Sequence, residues 1–427
     1  IMELMISYTK IANNRRPEAM NASVYAPMAY REREELYAQI EKLLSMAEDI
    51  YTNNYSWPFH EIVYYPLVGN LNNQKLWLDT TYNHYLASIR ASQTDSIGDK
   101  VYEGLENDVK LVDTIHKAEN GRWYGMGLSE HIGFDRWNEE ECRYPVVYSM
   151  KPSNKDRIVA VVPENGSATE GGVWTKKKLI LPDFARYNCD TAEIYLYSTS
   201  DKDAPFTITT DSECVSVDKS SGTVSAKGLE VVTVSLDKSK ISCCDVNPVI
   251  RITKELMDAS IEVLLPRITE AKETNTYIFS DSYVSIEADG YCELENGKND
   301  DGEDAAFKII PDFGKTKCGL KIYPVTSSFV DASTRPSVSY AFNTMKSGEY
   351  SVRLYLAPTN PIYRDNKLEL LASCNGTPDM TLDVFDKEYK IADGNAVWEK
   401  GALDNIHILE FDIDCVDGDN KLTIKPL

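Results

Sequence analysis

No stretch of about 18 apolar residues occurs in this 427-residue chain, so none of it reads as a membrane-spanning helix, and no membrane partner is expected. Clustered basic charge is also scarce. The formal net charge is -22, and the basic clusters are Arg15-Arg16 and Lys176-Lys177-Lys178, both short and both read as solvated surface. A polyanion would be repelled on average, so nucleic acid is not an expected partner. The nine cysteines (Cys142, Cys189, Cys214, Cys243, Cys244, Cys292, Cys318, Cys374 and Cys415) are scattered and form no C-x-x-C pair, which points to free thiols of a reducing, cytoplasmic-type compartment. Nucleophile elbow, Walker loop, dinucleotide fingerprint and H-E-x-x-H are all missing. The five histidines, His60, His84, His116, His131 and His407, show no metal-ligand spacing. No metal and no cofactor is expected.

What is present is ordinary globular material: 42% hydrophobic and 26% charged residues, in a chain too long for one core. The first third is helical. "IMELMISYTKIA" places Met5, Tyr8 and Ala12 at helical spacing with no cap before it, as expected of a chain whose natural N-terminal part is absent. Leu36, Ile40, Leu43, Ala47 and Ile50 form one amphipathic stripe. A second helix is expected over 58–91, kinked or split by Pro66. A third is expected over 95–119, stopped by Asn120-Gly121. Short connections favour an antiparallel bundle.

From Arg157 onward, "RIVAVVP", "AEIYLYSTS", "FTITTD" and "VVTVSLD" read as strands of an immunoglobulin-like β-sandwich reaching Arg267. "CVSVDKSSGTVSAKG" predicts a hairpin turning at Ser221-Gly222. The polar run "ITEAKETNTY" over 268–277 reads as a linker. Eight strands are then expected, beginning with "YVSIEADGY" and ending with "NKLTIKPL", which suits a jelly-roll-like β-sandwich. "ENGKNDDGEDAA" at 295–306 lacks EF-hand spacing and reads as an exposed acidic loop. The fold class expected is therefore multidomain α + β. A helical bundle occupies 1–150, an immunoglobulin-like sandwich 151–267 and a jelly-roll-like domain 268–427.

Tyrosine stands out, with 26 against 11 phenylalanines. Aromatic rings with a polar edge suit both half-buried strands and sugar-binding faces. Tyr355, Tyr363 and Trp398 are the candidate carbohydrate contacts of the last domain.

The order of elements, together with "GRWYGMGLSEHIGFDRW" over 121–137 and the segment 309–361, resembles the C-terminal half of glycoside hydrolase family 115, the xylan α-glucuronidases. The resemblance implies an intact enzyme that removes glucuronic acid, or its 4-O-methyl form, from glucuronoxylan with inversion, using a general acid and a general base with room for water between them. In that family these carboxylates lie in a barrel N-terminal to the bundle. No residue here is therefore carried over as catalytic, and the chain alone is expected to be inactive. His131 and Trp137 are the candidate contacts with that catalytic domain. Glu130 and Asp135 depart from the family pattern and add negative charge beside His131. The alternatives are a free-standing carbohydrate-binding protein and a scaffold, with a homodimer among the arrangements open. The partners implied are glucuronoxylan and the missing catalytic domains.

Overall fold

The computed structural model describes the chain apart from residues 16–19, 27, 29, 54–55, 127–131, 133–143, 175–176, 188, 242–245, 256, 267–275, 279–282, 312, 315, 360–367 and 385–395, and apart from the side chains at 14 and 396–399. It is a multidomain α + β protein, with a helical N-terminal region followed by several β-sheets. Two units separate: residues 1–12 with 17–266, and residues 13–16 with 267–427.

In the first unit, helices α1 (Met2–Asn14), α2 (Tyr30–Asn53), α3 (Trp57–Phe59), α4 (Tyr65–Ser88) and α5 (Thr94–Gly121) surround a core of Leu4, Ile40, Leu43, Leu67, Leu71 and Val101. Pro66 does not split its helix. One π-helical turn, His60–Tyr64, joins α3 to α4 and sets Pro66 in the first turn of α4, where its missing N–H costs least. The α5 stop also differs from expectation. Ala118 already leaves helical geometry, and Glu119, Asn120 and Gly121 all take positive φ. The chain reverses over three left-handed residues rather than at a single glycine.

Two five-stranded sheets complete this unit. One runs in the order 167–169, 158–162, 191–198, 229–236, 215–217; the other in the order 179–181, 257–263, 249–254, 204–210, 221–224. Leu196, Ile194, Phe206, Ile252 and Ile261 fill the space between them. The other face of the first sheet gives Val159, Val161, Tyr195 and Tyr197 to a cluster with Tyr82, Tyr85 and Leu86 of α4. Strand Ile158–Val162 is thus buried on both faces, which is why "RIVAVVP" reads as a continuous apolar run.

The expected Ser221-Gly222 hairpin is not there. Strand Val215–Val217 pairs with Leu229–Leu236, while Ser221–Val224 pairs with Ala204–Thr210 in the other sheet, so the connection crosses between layers. Gly222 lies inside its strand. A Cβ there would stand 2.8 Å from the Phe206 ring, so close approach rather than a turn demands the glycine.

In the C-terminal unit, the largest sheet runs in the order 276–278, 337–344, 418–426, 369–374, 380–383, with 293–295 also paired to 337–344. A three-stranded sheet (297–298, 304–311, 318–323) and a ribbon of Gly348–Leu356 with His407–Cys415 accompany it. Val338, Phe342, Leu422 and Ile424 of the large sheet share a core with Phe411 and Ile413 of the ribbon. The strand expected at "YVSIEADGY" carries no ladder. The edge of strand Ser337–Thr344 is taken by Thr276–Ile278 and Glu293–Glu295, yet Val284 and Ile286 still pack on the core. The stretch 295–306 is not a free loop. Gly297–Lys298 pairs with Asp304–Ala305, and Asp300 accepts hydrogen bonds from Ser328 Oγ (2.7 Å) and the Val330 N–H (2.8 Å). Those bonds hold the Asp300 carboxyl below its ordinary range.

Candidate functional site

Among the candidate sugar contacts, the structure places the side chain of Tyr355. It stands on the outer face of the ribbon, 59% exposed, because alternation sends Tyr350, Val352, Leu354 and Leu356 toward the core and Glu349, Ser351, Arg353 and Tyr355 outward. The facing strand does the same, with Ile408, Glu410, Asp412 and Asp414 outward. Register sets Tyr355 opposite Ile408, Arg353 opposite Glu410 and Glu349 opposite Asp414. Tyr355 and Ile408 make an exposed apolar pair on this face. Beside it, Arg353 Nε lies 3.3 Å from Glu410 Oε1, and Ser351 Oγ donates to the same oxygen at 3.1 Å. Arg353 is the one cation among these outward residues, against Glu349, Glu410, Asp412 and Asp414. These outward residues therefore carry a net negative charge.

Trp398 lies in helix α7 (Ala396–Asp404), α6 (Asp183–Tyr187) being the short helix of the first unit, but its side chain is outside the described part. Tyr363, His131 and Trp137 also fall outside the described residues. Within that same stretch Ile132 is described. It is fully buried in the helical core, and its N–H donates to Asp108 Oδ2 of α5 at 3.0 Å.

The buried charges of the first unit hold structure. Arg31 of α2 binds Glu164 (2.8 Å) and Asp183 of α6 (2.6 Å), while Arg186 and Tyr187 also reach Glu164. Burial, and then the Glu164 carboxylate, raise the Asp183 carboxyl above its ordinary range in spite of Arg31. On α4, Asp79 is buried and its carboxyl is likewise raised by burial. Asn83, fully buried, holds both the N–H (2.8 Å) and the carbonyl (3.0 Å) of Tyr148. Among the described residues no group of three or more His, Cys, Asp and Glu could hold a metal ion.

Sequence reasoning missed one arrangement, a pile of rings at the π-turn. Trp57 stacks on His60 (5.4 Å) and on Trp123 (5.6 Å), and Tyr51 stacks on Tyr64 (4.4 Å). The aromatic density of "SWPFHEIVYYP" was the available signal.

Comparison with known proteins bears on the C-terminal unit. Residues 276–427 match the glycosyl hydrolase family 115 C-terminal domain. Among solved structures, a family 115 4-O-methyl-α-glucuronidase with specificity for decorated arabinogalactans aligns over 100% of this chain and 37% of its own, at 13% identity and a TM-score of 0.44. This chain therefore spans little more than a third of that protein. A family 35 carbohydrate-binding module from Cellvibrio japonicus aligns over 31% of this chain and 76% of its own, at 16% identity and a TM-score of 0.19. The isomalto-dextranase of Arthrobacter globiformis, complexed with panose, aligns over 56% of this chain and 33% of its own, at 11% identity and a TM-score of 0.19. No curated protein matches.

Proposed function

We propose that this chain is a non-catalytic C-terminal part of a family 115 xylan α-1,2-glucuronidase, an enzyme that takes (4-O-methyl)glucuronic acid off glucuronoxylan. In this reading the catalytic barrel lies outside the chain. The sheets of residues 158–263 serve as an immunoglobulin-like sandwich and the C-terminal unit as a jelly-roll-like one. The observation that carries the reading is the match of residues 276–427 to the family's C-terminal domain. The assignment of Arg31, Glu164 and Asp183 to an internal ion-pair network is consistent with it. Its partners are the polysaccharide and the catalytic domains, with self-association as a further arrangement.

Release of 4-O-methylglucuronic acid from glucuronoxylan tests the proposal, using the chain alone and the chain joined to a family 115 catalytic region. The chain alone should release none. Turnover by the chain alone would place the chemistry inside it and overturn the reading. Decorated arabinogalactan in a parallel assay of the joined protein reads which polysaccharide it serves; preference for arabinogalactan would overturn the xylan assignment. A carbohydrate-binding role for the ribbon is favoured by the exposed Tyr355–Ile408 pair, and Tyr355→Ala should weaken retention in a xylan gel if that face binds.

A further inference from the structure

The C-terminal unit brings together two cysteines from strands of different sheets. Cys374 ends strand Glu369–Cys374 of the large sheet, and Cys415 ends strand His407–Cys415 of the ribbon. Both are buried, and both belong to the core that the two layers share. Alternation puts Cys374 on the side of Ala372 and Cys415 on the side of Phe411 and Ile413, so the two side chains point inward. There the two thiols hydrogen-bond to each other. Cys214 and Cys292 meet oxygen instead: Cys214 Sγ lies 3.1 Å from Ser212 Oγ, and Cys292 donates to the Ser339 carbonyl at 3.3 Å.

The backbone around the pair is held independently of the sulfurs. Asn420 of strand Gly418–Pro426 is buried, and its Oδ1 accepts from Asn375 Nδ2 at 2.8 Å and from the Val416 N–H at 2.9 Å. The residues that follow Cys374 and Cys415 thus converge on one oxygen. Asn420 Nδ2 donates to the Val416 carbonyl at 2.9 Å and to Thr344 Oγ1 at 3.0 Å, and Thr344 Oγ1 donates to the same carbonyl at 2.6 Å. Beside Cys374, the Asn375 N–H donates to the Lys421 carbonyl and Asn375 Oδ1 accepts from the Lys421 N–H, both at 2.9 Å. The Cys374 N–H donates to Thr377 Oγ1 at 3.2 Å. Both strand ends are therefore fixed without a sulfur–sulfur bond, which leaves the thiols as neighbours at high effective concentration.

We infer that Cys374 and Cys415 are a disulfide site that clamps the ribbon to the large sheet, with a small-molecule disulfide such as glutathione disulfide as the oxidant. One cysteine thiolate attacks a sulfur of the reagent, makes a mixed disulfide and expels one small thiolate. The second cysteine attacks the protein sulfur of that mixed disulfide, closes the Cys374–Cys415 bond and expels the other. The two cysteines lose two protons and two electrons, and the reagent leaves as two thiols. Burial shields the folded pair, so the exchange runs while the chain folds. The bond closes a loop of about 40 residues that holds α7 and strand Met380–Asp383, and so lowers the entropy of the unfolded C-terminal unit. The pair stays open where thiols prevail and closes where disulfides do. Neither the polysaccharide nor the catalytic domains enter this inference, so it and the proposed function can fail separately.

Refolding the full chain from urea, in a mixture of reduced and oxidised glutathione, tests the inference. Digestion without reductant, followed by mass spectrometry, should find the peptides of Cys374 and Cys415 joined and short of two hydrogens, as the main cystine of the C-terminal unit. The thermal transition of that unit should lie about 4–16 °C above that of the same chain refolded in dithiothreitol. Cys374→Ala combined with Cys415→Ala should abolish the difference between the two refolding conditions. The peptide map of the native sequence needs no variant, so it decides the matter if the double variant does not fold. The inference is overturned if Cys374 and Cys415 stay thiols in the glutathione mixture, or if either is joined mainly to another cysteine. It is overturned equally if the bridge forms and the transition does not rise.

Discussion

The first unit and the C-terminal ribbon handle polar side chains in opposite ways. The first unit buries them: Asn83, Thr94, Asp79, Asp108 and Asp183 are all inside, and most hold backbone or charged groups. The ribbon turns Ser351, Arg353, Glu410 and Asp412 to water and keeps its inner face for Val352, Phe411, Ile413 and Cys415. Burial makes polar groups costly to disturb and poor at meeting a partner. Exposure makes them cheap to change and available for recognition. Stability and binding should therefore respond in opposite senses in the two regions.

Tyrosine offers the most direct way to break that comparison. Tyr197 is fully buried, with its hydroxyl 2.6 Å from that of Tyr82. Tyr197→Ala removes the ring and orphans a hydroxyl, and should cost about 3–5 kcal/mol. Tyr355→Ala should stay within about 0.5 kcal/mol. Urea unfolding, followed by circular dichroism and read as separate transitions for the two units, measures both. Equal losses would mean that the ribbon face is as structural as the buried ring cluster.

The same contrast explains what was legible in the sequence. Apolar periodicity found the stripe of Leu36, Ile40, Leu43 and Ala47, because a helix with one wet face writes its burial into its spacing. It was less informative for α4, which buries Asn70, Asn73, Gln74 and Asp79 along with its leucines and carries no clean stripe. Strand alternation accounts for the outward Tyr355, since the ribbon has one wet face. Alternation alone misled at "YVSIEADGY", where Val284 and Ile286 pack on the core from a segment that is not a strand. It misled again at Ser221-Gly222, because a turn signal does not tell a hairpin from a crossing between sheets. The ring pile escaped because it needs a π-turn and a left-handed reversal 60 residues away to act together.

A smaller effect sharpens the contrast through pH. Burial raises the Asp79 carboxyl, so the folded state favours its protonated form. That contribution is fully present below the unfolded value, about 4, and is lost as pH rises through the higher folded value. Asp79→Asn mimics the protonated group. It should stabilise the first unit by about 1 kcal/mol at pH 7, and the gain should shrink toward nothing near pH 4. Thermal unfolding across pH 4–8 reads it. A gain that is constant with pH would show that Asp79 does not titrate in this range.

The smallest expected effect probes the inner side of the ribbon. Cys374 and Cys415 are buried free thiols of the C-terminal core. Burial pushes Cys374 up, and burial together with Cys374 pushes Cys415 up to about 12. The thiolate is the reactive form, so at pH 8 burial holds both thiols in the unreactive protonated state. A thiol-reactive disulfide reagent at pH 8 should leave both unmodified in the native chain and label both in urea. Replacing the two with alanine should leave native labelling unchanged and lower only the labelling in urea. Fast native labelling that disappears in this variant would show that the ribbon opens locally at small cost. The wet outer face and the dry inner face would then not be two sides of one rigid layer, and the Tyr355 spot would be a moving target rather than a preformed one.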